Sequence, residues 1–229
     1  MSPALAVALD TTSVDTATEW AAAVAPHVDV LKVGLEFYLR HGASGVAQVR
    51  RAAPECGLFL DLKLHDIPAT VAGGARAVAA LAPDFLTVHA SGGATMVGAA
   101  AEALPNTRIA AVTLLTSLAP TDLLALRLPP ADELVVQWAH VAVTAGARAL
   151  VSSALEVAAL RVEFPGDVRL ITPGIRPAGG QAQDQSRVAT PQAAVGWGSD
   201  VLVVGRPITA AAAPAAAAAA IAAEIRAAS

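Results

Sequence analysis

The chain has 229 residues, of which 55% are hydrophobic and 15% charged, with a formal net charge of −4. That apolar share excludes a disordered chain and permits a large buried core. The acidic balance and an aromatic content of only 3% exclude a protein built chiefly to grip nucleic acid, which needs a basic face with stacking side chains.

Short β-type runs recur along the chain, each followed by helix-compatible sequence. In order they are Leu5–Leu9, Val28–Val33, Leu58–Lys63, Phe85–His89, Ile109–Leu115, Ala149–Ser152, Val168–Thr172 and Val201–Val204. The intervening segments Asp15–Ala25, Leu35–Ala53, Thr70–Leu81 and Asp132–Ala145 are rich in Ala, Leu, Val, Arg and Glu. Strands alternating with helices predict a parallel sheet with crossover helices. No Ser/Gly-rich linker divides the chain, so one α/β domain over residues 1–229 is expected. Eight units in this length predict closure into a single (β/α)8 TIM barrel. No G-x-G-x-x-G follows the first strand, which argues against a dinucleotide-binding open sheet.

The ends and the lone cysteine narrow the class further. Met1–Leu5 lacks a basic leader and a cleavage pattern, so no signal peptide is expected. The Ala-rich stretch from Ala210 to Ala223 carries Pro214, runs into Glu224 and Arg226, and is too short for a comfortable membrane span. It predicts a terminal amphipathic helix packed on the domain, and the whole fits a soluble cytoplasmic protein. Cys56, alone, cannot form an intrachain disulfide and is expected to be buried and inert. The five histidines show no ligand spacing, so no metal is expected.

Thirteen arginines accompany only two lysines, Lys32 and Lys63. Lysine can give up its proton, whereas arginine stays charged at any working pH, so these two are candidates for work a guanidinium cannot do. Alternation along the strands places them. In Leu58–Leu64 the leucines share one face, while Phe59, Asp61 and Lys63 share the other. A barrel strand needs an apolar outer face beneath its helices. Asp61 and Lys63 are therefore expected to point inward at the C-terminal rim. Ala4, Ala6, Ala8 and Asp10 align likewise on the first strand, and Val28, Val30 and Lys32 on the second. Three strands thus bring ionisable groups to the rim where barrel active sites lie. By the same parity His65 faces away from Lys63 and reads as structural, while His89 reads equally as barrel lining or satisfied core.

Two later segments suit an anion. Thr172–Arg176 follows the seventh strand, and Val204–Thr209 the eighth. Loops seven and eight of such barrels often hold phosphate. Glycine lets a main-chain N–H approach the oxygens, and arginine can bond two of them at once. Pro207 suits the first turn of the last helix. Between these segments, Pro177–Ser186 is rich in Gly, Gln and Pro and is expected to form a mobile lid.

Taken together these residues resemble the orotidine 5′-monophosphate decarboxylase family over nearly the whole chain. The resemblance is carried by Ala8-Leu9-Asp10, Leu31–Gly34, Asp61–Thr70, Val88-His89-Ala90, Leu115-Thr116-Ser117, Thr172–Arg176, Asp184–Pro191 and Val204–Thr209. The Asp-x-Lys-x-x-Asp-Ile-Pro-x-Thr run at Asp61–Thr70 is its most specific part. The resemblance implies that Lys63 donates a proton, that Asp61 sits beside the substrate carboxylate, and that Asp10 and Lys32 contact the ribose. Lys32 would also join the charged network. Asp66, Ile67 and Thr70 would reach into a neighbouring subunit's site in a homodimer with shared active sites. Thr116 and Ser117 would lie near the pyrimidine, and Arg176, Gln185, Gly205 and Arg206 at the phosphate end. The implied reaction is cofactor-independent decarboxylation of orotidine 5′-monophosphate in pyrimidine biosynthesis, with no nucleic acid or membrane partner.

Three rivals are weighed against this. Sugar-phosphate decarboxylases and hexulose-phosphate synthases of the same superfamily use Mg2+ and an acidic residue at the end of strand two, where this chain has Lys32. A Schiff-base aldolase needs a neutral lysine, and flanking carboxylates disfavour that state. A non-catalytic nucleotide-phosphate binder would leave the acid–base set unexplained.

Overall fold

A computed structural model gives the structure of residues 3–177 and 189–229. Its strands are β1 (Ala4–Ala8), β2 (Val30–Gly34), β3 (Gly57–Leu64), β4 (Phe85–His89), β5 (Arg108–Val112), β6 (Ala149–Val151), β7 (Arg169–Thr172) and β8 (Val201–Val204). They pair in parallel and in sequence order, and β8 returns to β1 to close the barrel. Helices α1 (Val14–Val24), α2 (Leu35–Ala52), α3 (Pro68–Ala77) and α4 (Gly93–Ala103) follow the first four strands. Helices α5 (Pro120–Ala125), α6 (Ala131–Thr144), α7 (Val157–Glu163), α8 (Pro191–Gly196), α9 (Arg206–Thr209) and α10 (Pro214–Ala227) complete the ring. Among the described residues no helix is long and apolar enough to cross a membrane.

Strand alternation divides the apolar residues into two bodies. Leu5, Val7, Leu31, Leu58, Leu60 and Leu86 belong to the large cluster between strands and helices. Ala6, Ala8, Val30, Phe59, Phe85 and Val203, from the intervening positions, fill the barrel's interior. The outer body needs bulk to meet the helices. The inner one is floored by alanines around the Phe59–Phe85 edge-on pair, with ring centroids 5.7 Å apart. Cys56 is buried, as expected, and burial pushes its thiol pKa up.

The N-terminal rim carries a recurring device. Asp29, Asp84 and Asp200 each stand just before an even-numbered strand. Their side chains accept the main-chain N–H of Leu5 at 2.8 Å, Leu58 at 2.8 Å and Leu170 at 2.7 Å. Each aspartate returns its own N–H to the carbonyl of the same leucine. Strand pairs β1–β2, β3–β4 and β7–β8 are thereby closed alike. At the matching position of β5–β6, Arg148 keeps the main-chain bond to Ile109 without such a carboxylate.

Several boundaries depart from the sequence expectation for local reasons. β2 starts at Val30, because Val28 leaves a 3-10 turn at Ala25–His27 and packs in the outer cluster instead of aligning with Val30 and Lys32. β5 ends at Val112, Thr113 still donates its N–H to the Val151 carbonyl at 3.1 Å, and Leu114 and Leu115 leave the ladder. The expected terminal helix is two helices. Pro207 opens the one-turn α9, and Pro214 starts α10. Of the expected lid Pro177–Ser186, all but Pro177 lies outside the described residues. Its flanks meet in a bridge between Ile175 and Ala189, where the Arg176 N–H donates to the Ala189 carbonyl at 2.9 Å.

Candidate active site

The C-terminal ends of the first three strands assemble a row of alternating charge. Asp10, just beyond β1, lies 3.2 Å from Lys32 Nζ through Oδ1. The same Nζ is 3.4 Å from Asp61 Oδ2, and Lys63 Nζ donates to Asp61 Oδ1 at 2.7 Å. The order Asp10–Lys32–Asp61–Lys63 leaves each inner charge between two opposite ones, and the row is neutral as a whole. Gly34 leaves room for this contact. A Cβ there would stand 3.2 Å from Asp10 Oδ1 and 3.6 Å from Lys32 Nζ.

Burial separates the two lysines. Lys32 is only 8% exposed. Burial favours its neutral form, but the charges of Asp61 and Asp10 outweigh that and hold its pKa above the ordinary value. Burial likewise opposes ionisation of Asp61, yet Lys32 and Lys63, with hydrogen bonds from Lys63 and Thr87, hold its carboxyl below the usual range. The Lys63 side chain is 36% exposed and stands at the cavity's mouth. With one N–H on Asp61, two of its three donors are available to a ligand.

The row forms one wall of a cavity of about 620 Å³. Phe59, Val112, Leu114, Val151, Ile171 and Val203 supply apolar lining. Loops seven and eight contribute Gly174, Arg176, Gly205 and Arg206, with Gly205 close to Asp10 at one end of the row. Arg176 is 8% exposed, and its guanidinium donates to the Ile175 carbonyl at 2.9 Å. Gly174 has φ +78°, a conformation that side-chain-bearing residues seldom adopt. The cavity combines a charged row, an apolar lining and two arginines from loops seven and eight. It suits a ligand with an anionic tail, a flat apolar body and a reacting group beside an ammonium.

Sequence-predicted residues divide in two. Asp10, Lys32, Asp61, Lys63, Thr116, Arg176, Gly205 and Arg206 line this cavity. Asp66, Ile67, Thr70 and Ser117 do not. All four are exposed, Ile67 by 66%, and Asp66 Oδ1 accepts the Ile67 N–H at 2.6 Å. Within this chain, then, Asp61 alone of the two expected carboxylates touches Lys63. Gln185 lies outside the described residues.

The parity argument for His65 rests on a regular alternation that β3 does not keep. Lys63 has φ +50°, and the β3–β4 register slips between Leu60 and Leu64. Alternation cannot be carried past such a bulge. His65 stacks against His89 with ring centroids 5.2 Å apart. Burial, then His65 and Lys63, lower the His89 pKa. Sequence reading missed Thr87, which bonds both Asp61 and the Lys63 main chain, and the part played by Gly34. A polar residue on the inner face of β4, two positions after Phe85, was the available signal for Thr87. Among the described residues no three His, Cys, Asp or Glu side chains are grouped to hold a metal ion.

Comparison with known proteins places this geometry. A curated relative from Thermobifida fusca, named orotidine 5′-phosphate decarboxylase, is 63% identical over 227 residues, covering 99% of this chain and 97% of its own. The crystal structure of orotidine 5′-phosphate decarboxylase from Lactobacillus acidophilus matches with a TM-score of 0.84 at 36% identity, covering 98% of this chain and 99% of that one. The enzyme of that name from Pyrococcus horikoshii OT3 matches with a TM-score of 0.81 at 26% identity, covering 97% and 99%. Residues 3–221 match the family described as orotidine 5′-phosphate decarboxylase / HUMPS. With a match of that extent and an unbroken barrel beneath it, the chain belongs to the orotidine 5′-phosphate decarboxylase / HUMPS family.

Proposed function

We propose that this chain is a carboxy-lyase that converts orotidine 5′-monophosphate to uridine 5′-monophosphate and CO2 in pyrimidine biosynthesis. On this reading the whole chain acts as one catalytic domain, paired as a cytoplasmic homodimer. The observation that carries it is the Asp10–Lys32–Asp61–Lys63 row, with one half-exposed ammonium in a cavity that Arg176 and Arg206 also line.

The chemistry follows from those positions. The bond from the pyrimidine ring to its carboxylate breaks, its electron pair stays on the ring carbon, and CO2 departs. An ammonium held at that carbon stabilises the developing charge. Lys63 then gives a proton to the carbon, forming a C–H bond and leaving a neutral amine. Asp61 aims the ammonium through its 2.7 Å bond, and Lys32 neutralises Asp61 from the other side. Asp10 and Lys32 take the ribose hydroxyls. Thr116 lines the cavity and serves the ring, while Ser117, exposed outside that lining, is assigned near the ring by the family resemblance alone. Arg176, Gln185, Gly205 and Arg206 serve the phosphate, whose remote binding energy can lower the barrier. Asp66, Ile67 and Thr70, exposed and away from their own cavity, are assigned to the site of a second subunit. The reaction needs neither a metal nor an organic cofactor.

The deciding test follows the loss of orotidylate absorbance with the purified protein, with and without a chelator. Turnover indifferent to the chelator is expected. Absence of turnover overturns the proposal, and chelator-sensitive turnover assigns the chain to metal-dependent chemistry instead.

A further inference from the structure

We propose that Thr87 is a positioning residue for this reaction, its hydroxyl fixing together the carboxylate of Asp61 and the main chain of Lys63. The inference rests on the decarboxylase reading above for its kinetic consequence, but on geometry alone for the contact.

Thr87 is fully buried, in the middle of β4. The β3–β4 ladder pairs Leu60 with Leu86 and Leu64 with Val88. Between those rungs β3 carries Asp61, Leu62 and Lys63, while β4 carries Thr87 alone. A bulge of this kind leaves main-chain groups without their usual partners. The Thr87 hydroxyl makes good part of that loss. Its Oγ1 accepts the Lys63 N–H at 2.8 Å and donates to Asp61 Oδ1 at 3.0 Å. A hydroxyl has one proton and two lone pairs, so it can do both at once. The direction follows from chemistry. An ionised carboxylate only accepts and a main-chain N–H only donates, so the hydroxyl proton must point at Asp61.

One side chain therefore ties the two residues whose relative position sets the reacting ammonium. Lys63 sits at φ +50°, a region disfavoured for any residue with a Cβ, and it holds there only if its surroundings enforce it. Asp61 Oδ1 receives both the Thr87 hydroxyl and Lys63 Nζ. Without the hydroxyl, the carboxylate and the bulged main chain lose their common anchor, and the ammonium loses its aim. Neither the phosphate end nor the Asp10–Lys32 contact involves Thr87. The effect should therefore fall on the chemical step.

The experiment compares Thr87→Val, which keeps the shape and removes the hydroxyl, with Thr87→Ser, which keeps the hydroxyl. In Thr87→Val, kcat for orotidine 5′-monophosphate is expected to fall about 10- to 100-fold, the scale of a small misplacement at a reacting centre, with KM within about 3-fold. Thr87→Ser should stay within about 3-fold of the parent in both. A second readout does not depend on turnover. With only two lysines in the chain, selective 15N-lysine labelling yields two main-chain amide signals. Hydrogen exchange at Lys63 should quicken at least about 10-fold in Thr87→Val and remain slow in Thr87→Ser, with Lys32 as the internal control. Parental kcat in Thr87→Val, equal damage in both variants, or unchanged Lys63 exchange would each overturn the inference. An inactive parent protein defeats the decarboxylase reading instead, and the exchange rates still decide the role of the hydroxyl.

Discussion

Lys32 and Lys63 carry the same charge into different surroundings. Lys32 is enclosed, with carboxylates at 3.2 and 3.4 Å, and nothing about it is poised to move a proton to a ligand. Lys63 has one carboxylate at 2.7 Å and an open side. The proposed roles differ accordingly, one as the network's fixed cation and the other as proton donor. Arginine at position 63 would preserve the charge and lose the transferable proton. For Lys63→Arg, kcat is expected to drop by at least about 10³-fold while uridine 5′-monophosphate still binds within about 10-fold, measured by steady-state kinetics and calorimetry. Retained turnover would remove Lys63 from the donor role. Arg206→Ala, in the loop after β8, should raise KM by about 10-fold or more with a smaller change in kcat.

At the level of elements, the rim aspartates and the β3 bulge show two uses of the same side-chain chemistry. Asp29, Asp84 and Asp200 each accept a strand N–H, and so fix where a strand pair begins. At the opposite end, Thr87 satisfies a strand N–H so that β3 can leave regular pairing. The N-terminal face of such barrels serves stability and the C-terminal face chemistry. Asp84→Ala should therefore cost about 1–3 kcal/mol of unfolding free energy, the scale of a hydrogen bond to a charged group. Kinetic constants at 25 °C should stay near parental values. Urea denaturation beside a kinetic assay checks both, and a loss of kcat without loss of stability would contradict the division. Strand alternation predicted which of Asp10, Lys32, Asp61 and Lys63 face inward. It does not extend to His65, because the positive-φ Lys63 and the register shift after Leu60 interrupt regular alternation, and no local pattern announces it.

For the molecule as a whole, stability and assembly yield separate tests. Folding raises the Lys32 pKa above its ordinary 10.5, so that contribution is full below 10.5 and is lost as pH rises through the folded value. Asp61 is held below its ordinary 3.8, so its contribution is present above 3.8 and disappears as pH falls through the folded value. His89, lowered from 6.5, resists protonation in the folded state, and stability begins to fall as pH drops below 6.5. Cys56, raised above its ordinary 9.0, resists ionisation in the folded state, so stability begins to fall as pH rises above 9.0. Urea midpoints should be highest between pH 6.5 and 9.0 and lower on both sides. Assembly is tested by mixing. Asp66→Ala and Lys63→Ala proteins, each with little activity alone, should regain part of it when refolded together, because one site of each mixed dimer keeps both residues. No recovery would argue against the shared site proposed for Asp66, Ile67 and Thr70.

The order of eight strands, the inward set of charges and the glycine–arginine loops that line the cavity after β7 and β8 were all determined by the sequence itself. Each rests on a short-range signal: alternation with period two, glycine beside arginine, apolar runs of strand length. Tertiary structure decided what depends on neighbours far apart in the chain. It put Asp61 between Lys32 and Lys63, gave Thr87 its two hydrogen bonds to the β3 bulge, and left Asp66 outside the cavity that its motif neighbours Asp61 and Lys63 enter. Those outcomes turn on register, burial and main-chain geometry across strands, and physical distance in a closed barrel is set by the closure and not by separation along the chain.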